Sequence, residues 1–208
     1  MISLAIMLAA ENKSGFSYTT VVLIFLALLL GLYLYSMTRK EKRDQQDELL
    51  ETYREMTPEK LASVPESELV RAVIANLMAK LDARHPDPYR DIPLLSPGRC
   101  AVYSVWAAGN ELSGGNFEGF FASPAACFAE LAADGYDRIG APRCGDILRE
   151  AMAAIPSALA ELNAAFSDAA EAEQPMVLCA EYIRDNPEEF VDTPEEDTVL
   201  PRETDELL

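Results

Sequence analysis

The sequence offers few residues of the kinds that carry out bond chemistry. It holds one histidine, His85, and four cysteines, Cys100, Cys127, Cys144 and Cys179. A serine or cysteine nucleophile needs a base within hydrogen-bond reach. His85 is the only imidazole, and it lies in ARHPDPY, a proline-rich loop ahead of the main apolar segments. The cysteines stand far apart and form no C-x-x-C pair, so the paired spacing of a zinc site is missing. In a reducing compartment they are expected to stay free and buried. Paired carboxylates can act as acid and base, but with 35 Asp and Glu in 208 residues such pairs arise by chance. The expectation is a protein that is not an enzyme and holds neither metal nor cofactor.

The other stretch that could form a site is LSGGNFEGFFASP, Leu112 to Pro124. A phosphate-cradling loop would need G-x-x-x-x-G-K-[ST] spacing or a preceding strand, and neither is present. Gly and Asn tolerate a positive φ. Gly114, Gly115 and Asn116 are therefore expected to turn the chain sharply, so that Phe117, Phe120 and Phe121 pack beneath neighbouring helices.

What positions these residues is read from hydropathy and helix punctuation. YTTVVLIFLALLLGLYLYSM, residues 18–37, is about 20 residues without a charge, enough to cross a hydrocarbon core of about 30 Å. It reads as a transmembrane helix with Tyr18, Tyr33 and Tyr35 at its edges. TRKEKR follows it, whereas only Lys13 precedes it, so the C-terminal side is expected in the cytoplasm, beneath an inner (plasma) membrane. Residues 1–17 are read as a short non-cytoplasmic tail, because MISLAIMLAA lacks the basic start of a secretory signal. Residues 38–56 are read as a charged juxtamembrane helix or linker.

The folded domain is expected over 57–190. TPEKL and VPESEL each offer a helix start. Leu69, Val70, Val73, Ile74, Leu77, Met78 and Leu81 form a stripe at three- and four-residue steps, which predicts a helix over 66–83. Four prolines in RHPDPYRDIPLLSPG predict an extended connection. Helices are then expected from Ser96–Pro97, with Val102, Val105, the single Trp106 and Leu112 inward; from Ser123–Pro124 to about Ala133, ended by DGYDRIGAP; from Ala141–Pro142; through Leu159, Leu162 and Phe166; and over 176–185. No segment reads as a strand. The fold class is all-α, a bundle of six or seven short helices, with residues 191–208 an acidic disordered tail.

The segment Gly109 to Pro156 resembles the C-terminal domain of the bacterial DNA-mimic protein family. A glycine-asparagine-phenylalanine corner (Ser113 to Phe117), an aromatic pair (Phe120, Phe121) and an Ile139-Gly140-Ala141 turn follow one another at that family's spacing. The corner differs in order, Gly114-Gly115-Asn116 standing for Asn-Gly-Gly, and Gly119 and Ser123-Pro124 replace polar residues of the family. The resemblance implies a non-enzymatic protein that presents carboxylates in place of duplex phosphates to a basic, DNA-binding protein. It also suggests a homodimer, as do the apolar helix faces.

Charge agrees with the electrostatic half of that implication. Lys and Arg number 17 against 35 Asp and Glu, a net charge of -18, and residues 60–208 hold 11 against 27. Such a chain repels nucleic acid and attracts basic partners. The carboxylates expected on helix exteriors, and so expected to meet a partner, are Glu111, Glu118, Glu130, Asp134, Asp137, Asp146, Glu150 and Glu161. Arg138, Arg143 and Arg149 fall among them and are expected to pair with some. The sequence thus reads as a membrane-anchored acidic interaction module, in its sharpest form a DNA mimic, contacting lipid through residues 18–37 and a basic protein through its domain. The alternative is an immunity-type protein that neutralises a basic toxin at the inner membrane.

Overall fold

The computed structural model describes residues 18–81, 88–114 and 116–193, without the side chains of 18–22, 32, 34–36, 38–39, 41–43, 88–89 and 114. The chain divides into two compact units, Met1–Glu48 and Leu49–Leu208.

The first unit contains most of α1 (Tyr18–Thr52), a single 35-residue helix. Its residues Leu23 to Leu30 are exposed. Among the described residues no helix is long and apolar enough to cross a membrane. The transmembrane helix expected over 18–37, and the lipid contact expected with it, are therefore unsupported. The apolar run does not stand as an element of its own, because α1 continues unbroken into TRKEKRDQQDELLET. Part of the run also lies outside the described side chains, and residues 1–17 lie wholly outside the described residues.

The second unit begins near Leu49 rather than 57, because residues 52–56 are tied into it. The Asn76 side-chain amide donates to the carbonyls of Tyr53 (3.0 Å) and Arg54 (3.3 Å). Lys60 Nζ donates to those of Thr52 (2.9 Å) and Glu55 (2.8 Å). Met56 is buried among core residues.

Helix starts follow the punctuation closely. Thr57 caps α2 (Pro58–Ser63), its hydroxyl accepting from Lys60 N–H at 3.2 Å. α3 (Glu66–Lys80) buries Leu69, Val73, Ile74 and Leu77 along the expected stripe. The proline-rich stretch is not wholly extended. Residues 82–87, and His85 with them, lie outside the described residues, but 88–94 form α4 (Pro88–Asp91) and a 3-10 turn. Proline at the first position of a helix lacks only an N–H that would be unpaired anyway.

α5 (Pro97–Gly114) carries Val102 and Val105 into the core, while Trp106 and Leu112 are half-buried. Then come α6 (Phe117–Ala122), a 3-10 turn over Pro124–Phe128, and α7 (Ala129–Ile139). Contrary to the expected stop near Ala133, α7 runs through Asp134-Gly135. A Cβ on Gly135 would stand 2.9 Å from Val105 Cγ2 and 3.0 Å from the Ala101 carbonyl, so this glycine serves the close packing of α7 on α5. The true stop is Gly140, at φ 90°, a left-handed conformation that glycine adopts without a Cβ penalty.

α8 (Pro142–Ala153) packs on α7, α9 (Leu159–Glu173) on α8, and α10 (Pro175–Asp185) on α3. The fold is all-α, with ten α-helices and no strand among the described residues. Nine of the ten lie within 57–190, more than the six or seven expected there, because α2, α4 and α6 are one- to two-turn helices. The core closes on Leu69, Leu77, Phe117, Phe120, Tyr136, Leu148 and Ile183, each contributing roughly 1.5–3 kcal/mol by burial.

The expected tail also begins later than 191. Asp192 N–H donates to the Met56 carbonyl at 2.9 Å, and its carboxylate accepts from Met56 N–H at 2.8 Å. Only residues 194–208 of that expectation lie outside the described residues.

Candidate protein-binding surface

α9, LAELNAAFSDAAEAE, turns Leu162, Phe166 and Ala169 into the core. Its outer side carries Glu161, Asp168 and Glu171, all exposed. At 3.6 residues per turn these three lie within a sector of roughly 80°, at axial intervals of about 10.5 and 4.5 Å. The helix has no Lys or Arg. None of the three carboxylates has a hydrogen bond or ion pair among the described residues. Exposed alanines between them, Ala164, Ala165 and Ala172, leave the face low and uncluttered.

A second acidic group is built differently. Arg149 on α8 reaches Asp137 at 2.5 Å, Asp134 at 3.0 Å and Asp146 at 3.4 Å. Its guanidinium is held above its ordinary pKa, chiefly by the Asp137 and Asp134 hydrogen bonds. One cation thus serves three of the carboxylates expected to meet a partner. The other expected residues are scattered. Glu118 and Glu130 line one shallow depression with Cys127 and Met152, and Glu118 accepts from Asn163 Nδ2 at 3.3 Å. Glu111 and Glu150 are exposed on α5 and α8.

Several acids belong to the fold rather than to any surface. Glu173 accepts from the Arg143 and Cys144 N–H groups, both at 3.0 Å, and so supplies a negative charge to the first turn of α8. Glu189 accepts from Gly98 N–H (2.5 Å) and from the Tyr182 hydroxyl (2.8 Å). Asp192 meets Lys80 Nζ at 3.0 Å and the fully buried Arg99 at 2.9 Å. Burial pushes the Asp192 pKa up, but the hydrogen bonds from Met56 N–H, Lys80 and Arg99 outweigh it and the net shift is downward.

The corner is a helix start. Gly114 closes α5, Gly115 lies outside the described residues, and Asn116 caps α6 by accepting from Gly119 N–H at 2.8 Å. Asn116 has φ -151°, so it acts through its side chain and not through a left-handed backbone. Phe117 and Phe120 are fully buried and Phe121 is half-buried, with Phe117 packed edge-on against Phe166 of α9 at 5.5 Å. The aromatic cluster that fixes α6 thereby also fixes the inner side of the acidic helix.

All four cysteines are free, but not all are buried. Burial pushes the Cys144 and Cys179 thiols up to about 12 and the Cys100 thiol up to about 11. Cys127 is exposed on a 3-10 turn whose small residues cover little of it.

A model of the DMP19-like protein family matches residues 93–205, more than half of the chain. The chain belongs to the DMP19-like family. That match contains the whole of Gly109 to Pro156, the segment whose corner, aromatic pair and Gly140 turn resemble the DNA-mimic domain. It starts just before α5 and includes α9, Arg99 and Asp192, so the DMP19-like region comprises the acidic face and one side of the seam that closes the domain, whose Met56 and Lys80 lie outside it. No curated protein and no solved structure matches the chain.

Asp168 and Glu171 were not among the carboxylates expected from sequence. Leu159, Leu162 and Phe166 mark this helix by hydropathy, which says nothing of SDAAEAE, yet alanine and glutamate are strong helix formers. Its signal was the seven- and ten-residue spacing from Glu161, which returns both side chains to one face.

Proposed function

We propose that this DMP19-like protein is a DNA mimic without enzymatic activity, which occupies the DNA-binding surface of a basic protein. The observation that carries the reading is the outer face of α9, where three carboxylates stand on a rigid helix with no cation in the helix to neutralise them. Their axial intervals of about 4.5 and 10.5 Å are of the order of one and three duplex charge steps of about 3.4 Å per strand. A basic protein that exchanges counterions for these carboxylates gains what it gains from phosphates, and loses it as salt rises.

The charge balance of the body supports this reading. Residues 60–190 alone hold 10 Lys and Arg against 20 Asp and Glu, so the excess does not depend on the C-terminal segment. The Arg149 cluster contributes less, because its three aspartates share one guanidinium.

The test uses the full-length protein as bait in lysate of its own cells, with duplex DNA as competitor. Recovery of a DNA-binding protein that is released by salt and displaced by duplex DNA is the expected result. Recovery that duplex DNA does not affect would overturn the reading.

A further inference from the structure

A shallow groove of about 640 Å³ lies where α6, the Pro124–Phe128 turn and the first turn of α7 meet the end of α8 and the start of α9. Phe121 of α6, Met152 of α8 and Pro156 give it an apolar floor; Met152 and Pro156 are exposed and Phe121 is half-buried. Ile155, between the lining residues Ala154 and Pro156, is 68% exposed, the most exposed large hydrophobic residue among those described in the second unit. Adjoining exposed apolar groups rimmed by polar ones mark a surface that another molecule covers.

The rim is acidic. Glu118 and Glu130 belong to the lining and are both exposed, and among the described residues the lining holds no Lys, Arg or His. Glu130 has no hydrogen bond or ion pair among the described residues, and Glu118 accepts only the 3.3 Å bond from Asn163 Nδ2. Negative charge is thus left over beside an apolar floor, unlike the Arg149 cluster, where a cation of the protein already answers the acids. The floor is also fixed in advance. Phe121 stacks on Phe117 at 5.9 Å and packs at a tilt on Phe120 at 5.3 Å, and both partners are fully buried. Glu118 and Phe121, three positions apart on α6, share one face of that helix. Little ordering remains to be done on binding, and the flexible thioether of Met152 can adapt to what is seated on it.

We propose that this groove docks a cationic amphipathic segment of a partner protein, with an apolar side chain seated on Phe121 and Met152 and flanking Lys or Arg side chains meeting Glu118 and Glu130. Charge complementarity selects this occupant. A purely apolar surface would desolvate the two carboxylates without pairing them. Residues 194–208 of the chain itself carry six Asp and Glu to one Arg, and a second copy brings a net charge of -18. An apolar centre with a charged rim is the usual anatomy of a protein interface. The inference goes beyond DNA mimicry and does not depend on it, since phosphate-like charge makes no use of an apolar floor.

The test titrates the full-length protein into a fluorescein-labelled helical peptide of leucine and lysine at about 150 mM salt, where exposed charges alone are largely screened. Binding is expected, and a peptide of the same charge with serine in place of leucine is expected to bind at least about tenfold more weakly, having no apolar group to bury. The double variant Glu118→Gln/Glu130→Gln, at exposed positions, is expected to lose roughly five- to tenfold in affinity. The Glu161→Gln/Asp168→Asn/Glu171→Gln variant is expected to bind as the wild type does, which separates this groove from the α9 face. Bound peptide is also expected to slow iodoacetamide modification of Cys127, an exposed residue of the lining, several-fold. No binding, equal binding of the serine peptide, equal loss in the two variants or an unprotected Cys127 would overturn the proposal. So would a change in the oligomeric state of the protein alone on Met152→Glu, which would make the groove a contact between copies.

Discussion

Asp192 and the three carboxylates of α9 carry the same charge in opposite settings. Asp192 lies in the seam between α3 and α5, where Met56 N–H, Lys80 and Arg99 converge on it and no capacity is left for an outside partner. Glu161, Asp168 and Glu171 stand on a helix without a cation and have no partner among the described residues. The cluster around Arg149 falls between these two, exposed but locally neutralised. What separates an acid that holds the fold from one able to meet another protein is the company its position supplies. Net charge alone does not distinguish them.

Substitutions can break this contrast from either side. The largest effect is expected for Asp192→Ala, which leaves Arg99 buried beside an empty position and should cost about 3–5 kcal/mol in urea unfolding. The same carboxylate gives a pH dependence with a definite sign. Its folded pKa lies below the ordinary 3.8, so its stabilisation is complete above that value and is lost as pH falls through the lowered one. Unfolding free energy followed from pH 5 downward should therefore decline in the wild type and be flatter in Asp192→Asn.

Next in size is the combined change Glu161→Gln, Asp168→Asn and Glu171→Gln. It should weaken capture of the basic partner on the order of tenfold or more while shifting stability by less than about 0.5 kcal/mol, as surface changes do. Arg149→Gln should alter stability by less than about 1 kcal/mol, since its ion pairs are largely exposed. Smallest is a labelling contrast. Iodoacetamide at pH 8 should modify Cys127 within minutes in the folded protein and leave Cys144 and Cys179 intact, as peptide mass spectrometry would show.

The fold was legible where the sequence carries strong punctuation. Thr57-Pro58, Pro142 and the Gly140 turn fall where capping chemistry places them, and the Leu69 to Leu77 stripe is the buried face of α3. It was illegible where one residue type has two uses. Gly135 reads as a breaker but serves close helix packing, and Asp192 reads as part of a solvated tail but pairs with residues more than 90 positions away. For the acidic surface, the number of carboxylates and three candidate arginine partners were visible, but not which arginine would pair with which acid. Arg149 removes Asp134 and Asp137 from the strongest set only because α7 and α8 lie side by side, whereas Asp146 is its i,i+3 neighbour within α8.

The most direct test of the account is a competition. The basic protein recovered with the DMP19-like chain is bound to fluorescently labelled duplex DNA, and the full-length protein is titrated in while anisotropy is followed at two salt concentrations. The DNA is expected to be released at a fixed stoichiometry, less effectively at higher salt, and the Glu161/Asp168/Glu171 triple variant is expected to fail to release it. Anisotropy that stays constant or rises, meaning that both ligands are held at once, would contradict it.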